Sequence, residues 1–203
     1  MENFRFLALH YLNDWCAYDS GFVQGLRLEG DRNTRLRKLR EVAIYYRVAR
    51  NFKTIVEDRL DGALKAIDAV KHPITDENVD STVRGIAKAF KSDYDKNLIS
   101  AASKFLWILH KAPVVIYDAR AISTLRSCGE KFGECDYKGY RKGWLAQFVV
   151  HEKSIQKACA ELIQVKDYSL AHAMADKELA SLVRNRWFHE RVFDKFLWWN
   201  GSG

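Results

Sequence analysis

A lysine and an aspartate flank an apolar segment in the middle of the chain. In "SAASKFLWILHKAPVVIYDAR", residues 100–120, Lys104 lies among apolar residues and Asp118 follows the break at Pro113. Burial among such neighbours disfavours an ammonium ion, and a neutral amine is a nucleophile toward sugar C1 or a carbonyl. Asp118 can cap the helix that "ARAISTLR" predicts or act as a general base. We expect both side chains in one cavity; a lysine at a helix end and a simple helix cap are the alternatives.

The residues around this pair resemble a known family. The stretches "SAASKFLW", "PVVIYDARA" and the later "RVFDKFLWW" resemble the bacterial 8-oxoguanine-glycosylase-like fold proteins, relatives of the helix-hairpin-helix DNA glycosylases. The specific resemblance covers residues 99–126 and 190–199. In that superfamily a lysine after the hairpin and an aspartate at the next helix start form the active site. The resemblance therefore implies that Lys104 and Asp118 are the catalytic pair, in a cleft formed around residues 99–126.

The resemblance also implies a reaction that needs no cofactor. A glycosylase extrudes the target nucleotide into a pocket and releases its base. Asp118 would activate the nucleophile and stabilise the cationic sugar, and Lys104 would form the Schiff base that permits strand cleavage. The two residues are closer in sequence than is usual in the superfamily, so we expect base excision with at most weak AP-lyase activity. One hypothesis is that the substrate is a modified base of phage DNA, removed as an antiviral defence.

Contacts to DNA can also be assigned from the sequence. Where the superfamily has a glycine-rich hairpin turn, this chain reads "NLISAAS", so Ser100 and Ser103 at the helix N-terminus are the predicted phosphate contacts. Arg120 would hold a phosphate or orient Asp118. A flipped base needs an aromatic wall, and each candidate ring is alternatively a core residue; the candidates are Trp107, Tyr117, Trp144, Trp187, Trp198 and Trp199.

The most basic stretch lies between residues 27 and 50. It holds eight cations and three anions, a local charge of +5 within a chain whose net charge is +7. Such a stretch suits a polyanionic partner, and an ordinary solvated helix face is the alternative. The cations that we predict to bind DNA are Arg35, Arg37, Lys38 and Arg40.

Two other functions compete with base excision. "RNRWFH", residues 184–189, resembles the R-x4-H motif of the all-α HEPN ribonucleases. That resemblance implies RNA cleavage with His189 as acid and base and Arg184 steadying the phosphate. The alternative for His189 is a partly buried helix histidine that hydrogen-bonds a neighbour. The third function is a non-catalytic helical DNA-binding protein that uses the basic stretch.

The scarcity of glycine and proline, the residues that interrupt helices, predicts an all-α fold with long helices. The 203 residues include only 11 Gly and 2 Pro, and no strand-length alternation recurs. We expect a single compact glycosylase-like domain over residues 1–200 with a degenerate helix-hairpin-helix, followed by a tail at 201–203. Besides the helix predicted within residues 100–120, the predicted helices cover about 4–16, 32–50, 51–70, 76–91, 118–128, 141–163 and 168–196.

Several classes of protein are disfavoured by missing patterns. No apolar run approaches the ~18 residues of a membrane span, and no secretion signal begins the chain. No GxGxxG or phosphate-loop motif is present, and no histidine or cysteine spacing fits a metal site. We expect a cytoplasmic monomer that binds DNA, without membrane, metal or nucleotide cofactor, and with four reduced, mostly buried cysteines.

Overall fold

The structure is a computed structural model that describes residues 3–27, 30–52 and 60–201. No residue in these ranges lies in a β-strand, and the predicted all-α fold is confirmed. The helix-hairpin-helix stays a prediction. The α-helices are α1 (Phe4–Asp14), α2 (Ser20–Gly25), α3 (Arg32–Tyr45), α4 (Asp61–Asp68), α5 (Val79–Tyr94), α6 (Ile99–His110), α7 (Ala119–Ser127), α8 (Tyr137–Ala160), α9 (Asp176–Arg184) and α10 (Arg186–Asn200).

The chain divides into two compact units, where the sequence predicts one. Unit 1 contains Met1–Ser20 and Asp118–Gly203, and unit 2 contains Gly21–Tyr117. Unit 2 is continuous in sequence, whereas unit 1 is assembled from the two ends of the chain. Each unit buries its own set of apolar side chains. The division between the units at residues 117 and 118 assigns the two candidate catalytic residues to different units, Lys104 to unit 2 and Asp118 to unit 1.

Unit 2 is built around α6. This helix packs against α5, α4 and α3, and residues 99 and 101–108 are all buried. A helix that is buried all round belongs in the interior of a fold. Its Phe105 ring stacks on Phe52 with centroids 5.9 Å apart. The turn between α5 and α6 spans residues 95–98, and Asp95 ends α5 in the left-handed conformation.

Unit 1 packs α1, α8 and α10 against one another, with α7 on α10. Its core is aromatic: Trp144 and Phe193 meet edge to face with centroids 5.0 Å apart, and Tyr11 contacts Phe188 at 4.9 Å. Beyond α1, Trp15–Asp19 form a π-helical turn. The side chain of Asp19 at the end of this turn is fully buried, which places a carboxylate inside the unit.

Several helix boundaries differ from those predicted. The single helix expected over 168–196 is two helices, because Asn185 is extended with ψ of 135° and its Nδ2 donates to the Ser181 carbonyl at 2.8 Å. Such local side-chain bonds compete with helix continuation. Gly139, expected in a loop, lies within α8. Of the helix expected over 51–70, residues 53–59 lie outside the described residues, and α4 covers Asp61–Asp68.

Candidate active site

Lys104 lies inside unit 2, with only 4% of its surface exposed. Its Nζ donates to Ser100 Oγ at 3.1 Å and to the Tyr46 carbonyl oxygen at 3.3 Å. Tyr46 is the C-cap of α3, and the partial negative charge of a helix carboxyl end favours a cation. These partners offset part of the cost of removing an ammonium ion from water. The inward orientation considered for this lysine is therefore the one that the fold adopts.

Ser103 fixes the segment that leads from unit 2 to Asp118. Its Oγ donates to the Ser100 carbonyl at 3.1 Å and accepts from the backbone N–H of Tyr117 at 3.0 Å. The residue is fully buried. A hydroxyl enclosed in this way does not present an oxygen to a DNA phosphate, so Ser103 serves the fold. Ser100, half-buried and one turn before Lys104, is the serine that stays a candidate DNA contact.

Asp118 begins α7 in unit 1 as its N-cap, as the sequence predicts. Its Oδ1 accepts from the backbone N–H of Arg120 at 3.0 Å, and the residue is half-buried. The Arg120 guanidinium carbon lies 4.3 Å from the centroid of the Trp198 ring, within range of a cation–π interaction. The carboxylate is thus oriented by a backbone donor, while the side chain of Arg120 rests on an aromatic ring.

A buried charge network that is not among the predicted site residues contacts the aromatic core of unit 1. Arg191 Nη1 donates to Asp194 Oδ2 at 2.9 Å, and Trp144 Nε1 donates to Asp194 Oδ1 at 2.9 Å. Burial raises the pKa of Asp194, the Arg191 charge opposes that shift, and the charge of Asp118 adds to it. The available signal was an arginine and an aspartate three residues apart in the largely aromatic and apolar "RVFDKFLWW".

The aromatic residues predicted to stack on a flipped base differ in exposure: some are buried in the core and others lie at the surface. Trp107 and Trp144 are each 1% exposed, and a ring enclosed on both faces offers no surface to a base, so both serve packing. Trp199 is 56% exposed and contacts Phe6 edge to face with centroids 5.5 Å apart. The half-buried candidates are Tyr117, Trp187 and Trp198.

The predicted DNA-binding cations of α3 also separate into two groups. Arg35 is buried and forms a bidentate pair with Asp68, with Nη1 to Oδ2 at 2.8 Å. Lys38 pairs with Glu41. Arg37 and Arg40 are exposed. Arg35 joins α3 to α4, Lys38 is paired within α3, and Arg37 and Arg40 present their charge to solvent.

Arg184 and His189, the predicted ribonuclease pair, lie in different environments. Arg184 is exposed at the end of α9, whereas His189 on α10 is 7% exposed. The Nε2 of His189 lies 2.7 Å from the Val183 carbonyl oxygen, and burial lowers its pKa. His189 therefore matches the alternative to a catalytic role, a buried helix histidine that hydrogen-bonds a neighbouring residue.

Metal-ligating side chains do not cluster within the ranges that the structure describes. The four cysteines are free thiols, but the prediction that most are buried is wrong: Cys128 and Cys135 are exposed, Cys16 is half-buried and only Cys159 is buried. Among the described helices, none combines the length and apolar character needed to cross a membrane.

No family model, curated protein or solved structure matches the chain. The resemblance to the glycosylases therefore rests on the residues of the sequence themselves.

Proposed function

We propose that the protein is a DNA glycosylase that flips a damaged or modified base and excises it, with Lys104 and Asp118 as catalytic residues. The observation that carries the proposal is the enclosure of the Lys104 amine in α6, where the other buried residues are apolar except for Ser103. Lysine is almost never fully buried without a partner, so a lysine in this position is unusual.

The hydrogen bond between Tyr117 and Ser103 gives further support. It ties the backbone directly before Asp118 to the residue directly before Lys104. The bond fixes the end of unit 2 at Tyr117, one residue before Asp118.

In the proposed reaction the bond from sugar C1 to the base breaks and the base leaves with its electron pair, taking up a proton. Asp118 stabilises the cationic sugar and accepts the proton of the attacking group. Where Lys104 is that group, ring opening yields a Schiff base and elimination of the 3′ phosphate gives weak lyase activity. Because the lysine is 4% exposed, the Ser100 hydroxyl must move aside before C1 reaches Nζ.

The proposal extends to the location, the oligomeric state and the substrate of the enzyme. The enzyme acts on DNA as a cytoplasmic monomer, and the reaction uses neither a metal nor a nucleotide cofactor. A modified base of phage DNA is the proposed substrate in an antiviral role. Base release from T-even phage DNA but not from unmodified DNA would support that role, and equal inertness on both would count against it.

Borohydride trapping tests the catalytic pair. Lys104→Met keeps the length and apolar character of the buried side chain, and Asp118→Asn keeps an N-cap residue, so both variants should fold, as circular dichroism can check. On DNA from which the wild type releases base, Lys104→Met should lose the trapped adduct and Asp118→Asn should lose base release by about 100-fold or more.

The matched control is Lys88→Met, which removes an exposed lysine of α5 in the same unit and should leave both readouts unchanged. Undiminished base release in Lys104→Met and Asp118→Asn would exclude the proposed pair. RNA cleavage that disappears in Arg184→Ala and His189→Ala would instead establish the ribonuclease.

A further inference from the structure

One face of α3 carries positive charge into solvent. At 3.6 residues per turn, positions 33, 37, 40 and 44 lie on one side of the helix, and all four are exposed. The opposite side is buried against unit 2 through Leu36, Leu39, Val42 and Ala43. Arg47, exposed just beyond the helix, continues the charge. We call Arg37, Arg40, Ile44 and Arg47 the arginine face.

One acid interacts electrostatically with the arginine face: the pKa of Asp31 is lowered by its hydrogen bonds with Thr34 and, to a smaller extent, by the charge of Arg37. Other cations of α3 are used within unit 2, since Arg32 pairs with Asp61, Arg35 with Asp68 and Lys38 with Glu41. Within the described part of the chain, the three arginines of the face have no carboxylate within the 4.0 Å of an ion pair. A row of solvated guanidinium groups favours a polyanion.

The arginine face ends beside the candidate catalytic lysine. Lys104 Nζ donates to the carbonyl of Tyr46 at 3.3 Å, and Arg47 is the next residue along the chain. From Arg37 to Tyr45, where α3 ends, the helical part of the face is on the order of 12 Å long at 1.5 Å per residue. That length corresponds to about three phosphates of one strand at ~3.4 Å of helix axis each.

We propose that the arginine face binds the phosphodiester backbone of one DNA strand and leads it along α3 to the amine of Lys104. This inference rests on the proposed function for what happens at Lys104. Arginine suits the role because its planar guanidinium binds a phosphate through two parallel hydrogen bonds. Ile44, 52% exposed between the arginines, supplies an apolar contact for sugar carbons.

Salt-dependent DNA binding tests the inference. The triple variant Arg37→Gln, Arg40→Gln and Arg47→Gln removes three charges from the face. The control triple, Lys88→Gln, Lys91→Gln and Lys96→Gln, removes three exposed charges elsewhere in unit 2 and gives the same net charge. Fluorescence anisotropy of a labelled single-stranded oligonucleotide over a salt series measures both. Each lost phosphate contact reduces the slope of log K against log salt by about 0.7, so the arginine triple should lose about 2.

Two outcomes would overturn the inference. Equal losses in the two triples would mean that net charge, not the arginine face, binds DNA. Preferential binding of anionic phospholipid vesicles or polyglutamate, lost in the arginine triple, would assign the face to a different partner.

The binding assay separates this inference from the proposed function. Lys104→Met should bind the oligonucleotide as the wild type does, yet release no base. If it still releases base while the arginine triple loses binding, the catalytic proposal fails and the strand contact stands. If Lys104→Met is inactive and the arginine triple binds with the wild-type salt slope, the strand contact fails and the catalytic proposal stands.

Discussion

Arg191 and Asp194 show how single residues keep charge inside an aromatic core. Each is less than one tenth exposed, and Asp194 accepts hydrogen bonds from both Arg191 and the Trp144 indole. Removing one partner of such a pair leaves the other charge buried and uncompensated, which costs about 3–5 kcal/mol. Burial raises the pKa of Asp194, and the negative charge of Asp118 raises it further. The network is therefore electrostatically coupled to Asp118, the N-cap of α7.

His189 should make the stability of the protein depend on pH. Burial lowers its pKa from the ordinary 6.5, so between 6.5 and that lowered value the unfolded chain binds a proton that the folded chain does not. The free energy of unfolding should therefore begin to fall as pH drops through 6.5 and level off below the lowered pKa. Urea denaturation over a pH series measures this decline.

The matched variant is His189→Gln, whose amide can still donate to the Val183 carbonyl but does not titrate. In this variant the free energy of unfolding should decline less steeply as pH falls. Part of the decline that remains comes from His110, because burial lowers its pKa as well. An unchanged slope in His189→Gln would contradict the assignment.

At the scale of elements, the last turn of α10 holds the first turns of α7. Thr124 Oγ1 donates to the Leu197 carbonyl at 2.6 Å, and the N–H of Gly201 donates to the same carbonyl at 3.1 Å. Arg120 lies over the Trp198 ring. The chain after α10 passes so close to α7 that a Cβ at Gly201 would lie 2.1 Å from the Arg120 carbonyl oxygen. Gly201, expected in the tail at 201–203, therefore packs on the helix that Asp118 caps.

Gly201→Ala should destabilise the protein by about 1–3 kcal/mol, because the added methyl group meets backbone atoms that must move. Gly85→Ala is the matched control: a Cβ there meets nothing within 4 Å, and alanine in the interior of α5 should stabilise by up to about 1 kcal/mol. Urea denaturation of both variants compares the two sites. Equal stabilities would show that the chain end is not packed against α7.

In the whole molecule, each of the two units has a hydrophobic core of its own. Unit 1 joins both ends of the chain through α1, α8 and α10, so its core completes only after unit 2 has been synthesised. Unit 2, continuous over Gly21–Tyr117, contains both the buried Lys104 and the arginine face. The net charge of +7 adds a general attraction to polyanions, which is why the DNA-binding test above compares variants of equal charge.

Thiol labelling should report the opening of unit 1. Burial raises the pKa of Cys159 to about 12, and a thiol both buried and protonated does not react. In the variant Cys16→Ser, Cys128→Ser and Cys135→Ser, Cys159 should react with a disulfide reagent only through opening, at a rate that urea increases. The counterpart that keeps only the exposed Cys128 should react at once and independently of urea. Similar rates for both thiols would contradict the buried position of Cys159.

The features that depend on neighbours along the chain could be predicted from the sequence. The helical class follows from the scarcity of breakers and from periodicity, and the cap at Asp118 follows from its position before "ARAISTLR". The excess of cations in α3 was likewise visible from composition. These properties are decided within a few residues, because capping bonds and the helical repeat span one or two turns.

Which side chains are enclosed and which charges are paired could not be predicted, because both depend on how the helices pack. Arg35 and Arg37 look alike in sequence, but Arg35 meets Asp68, 33 positions away, and is buried. Trp144 is a core ring because it meets Asp194, 50 positions away. The physical reason is that burial and ion pairing depend on residues distant in sequence, which only the packing of helices within each unit brings together.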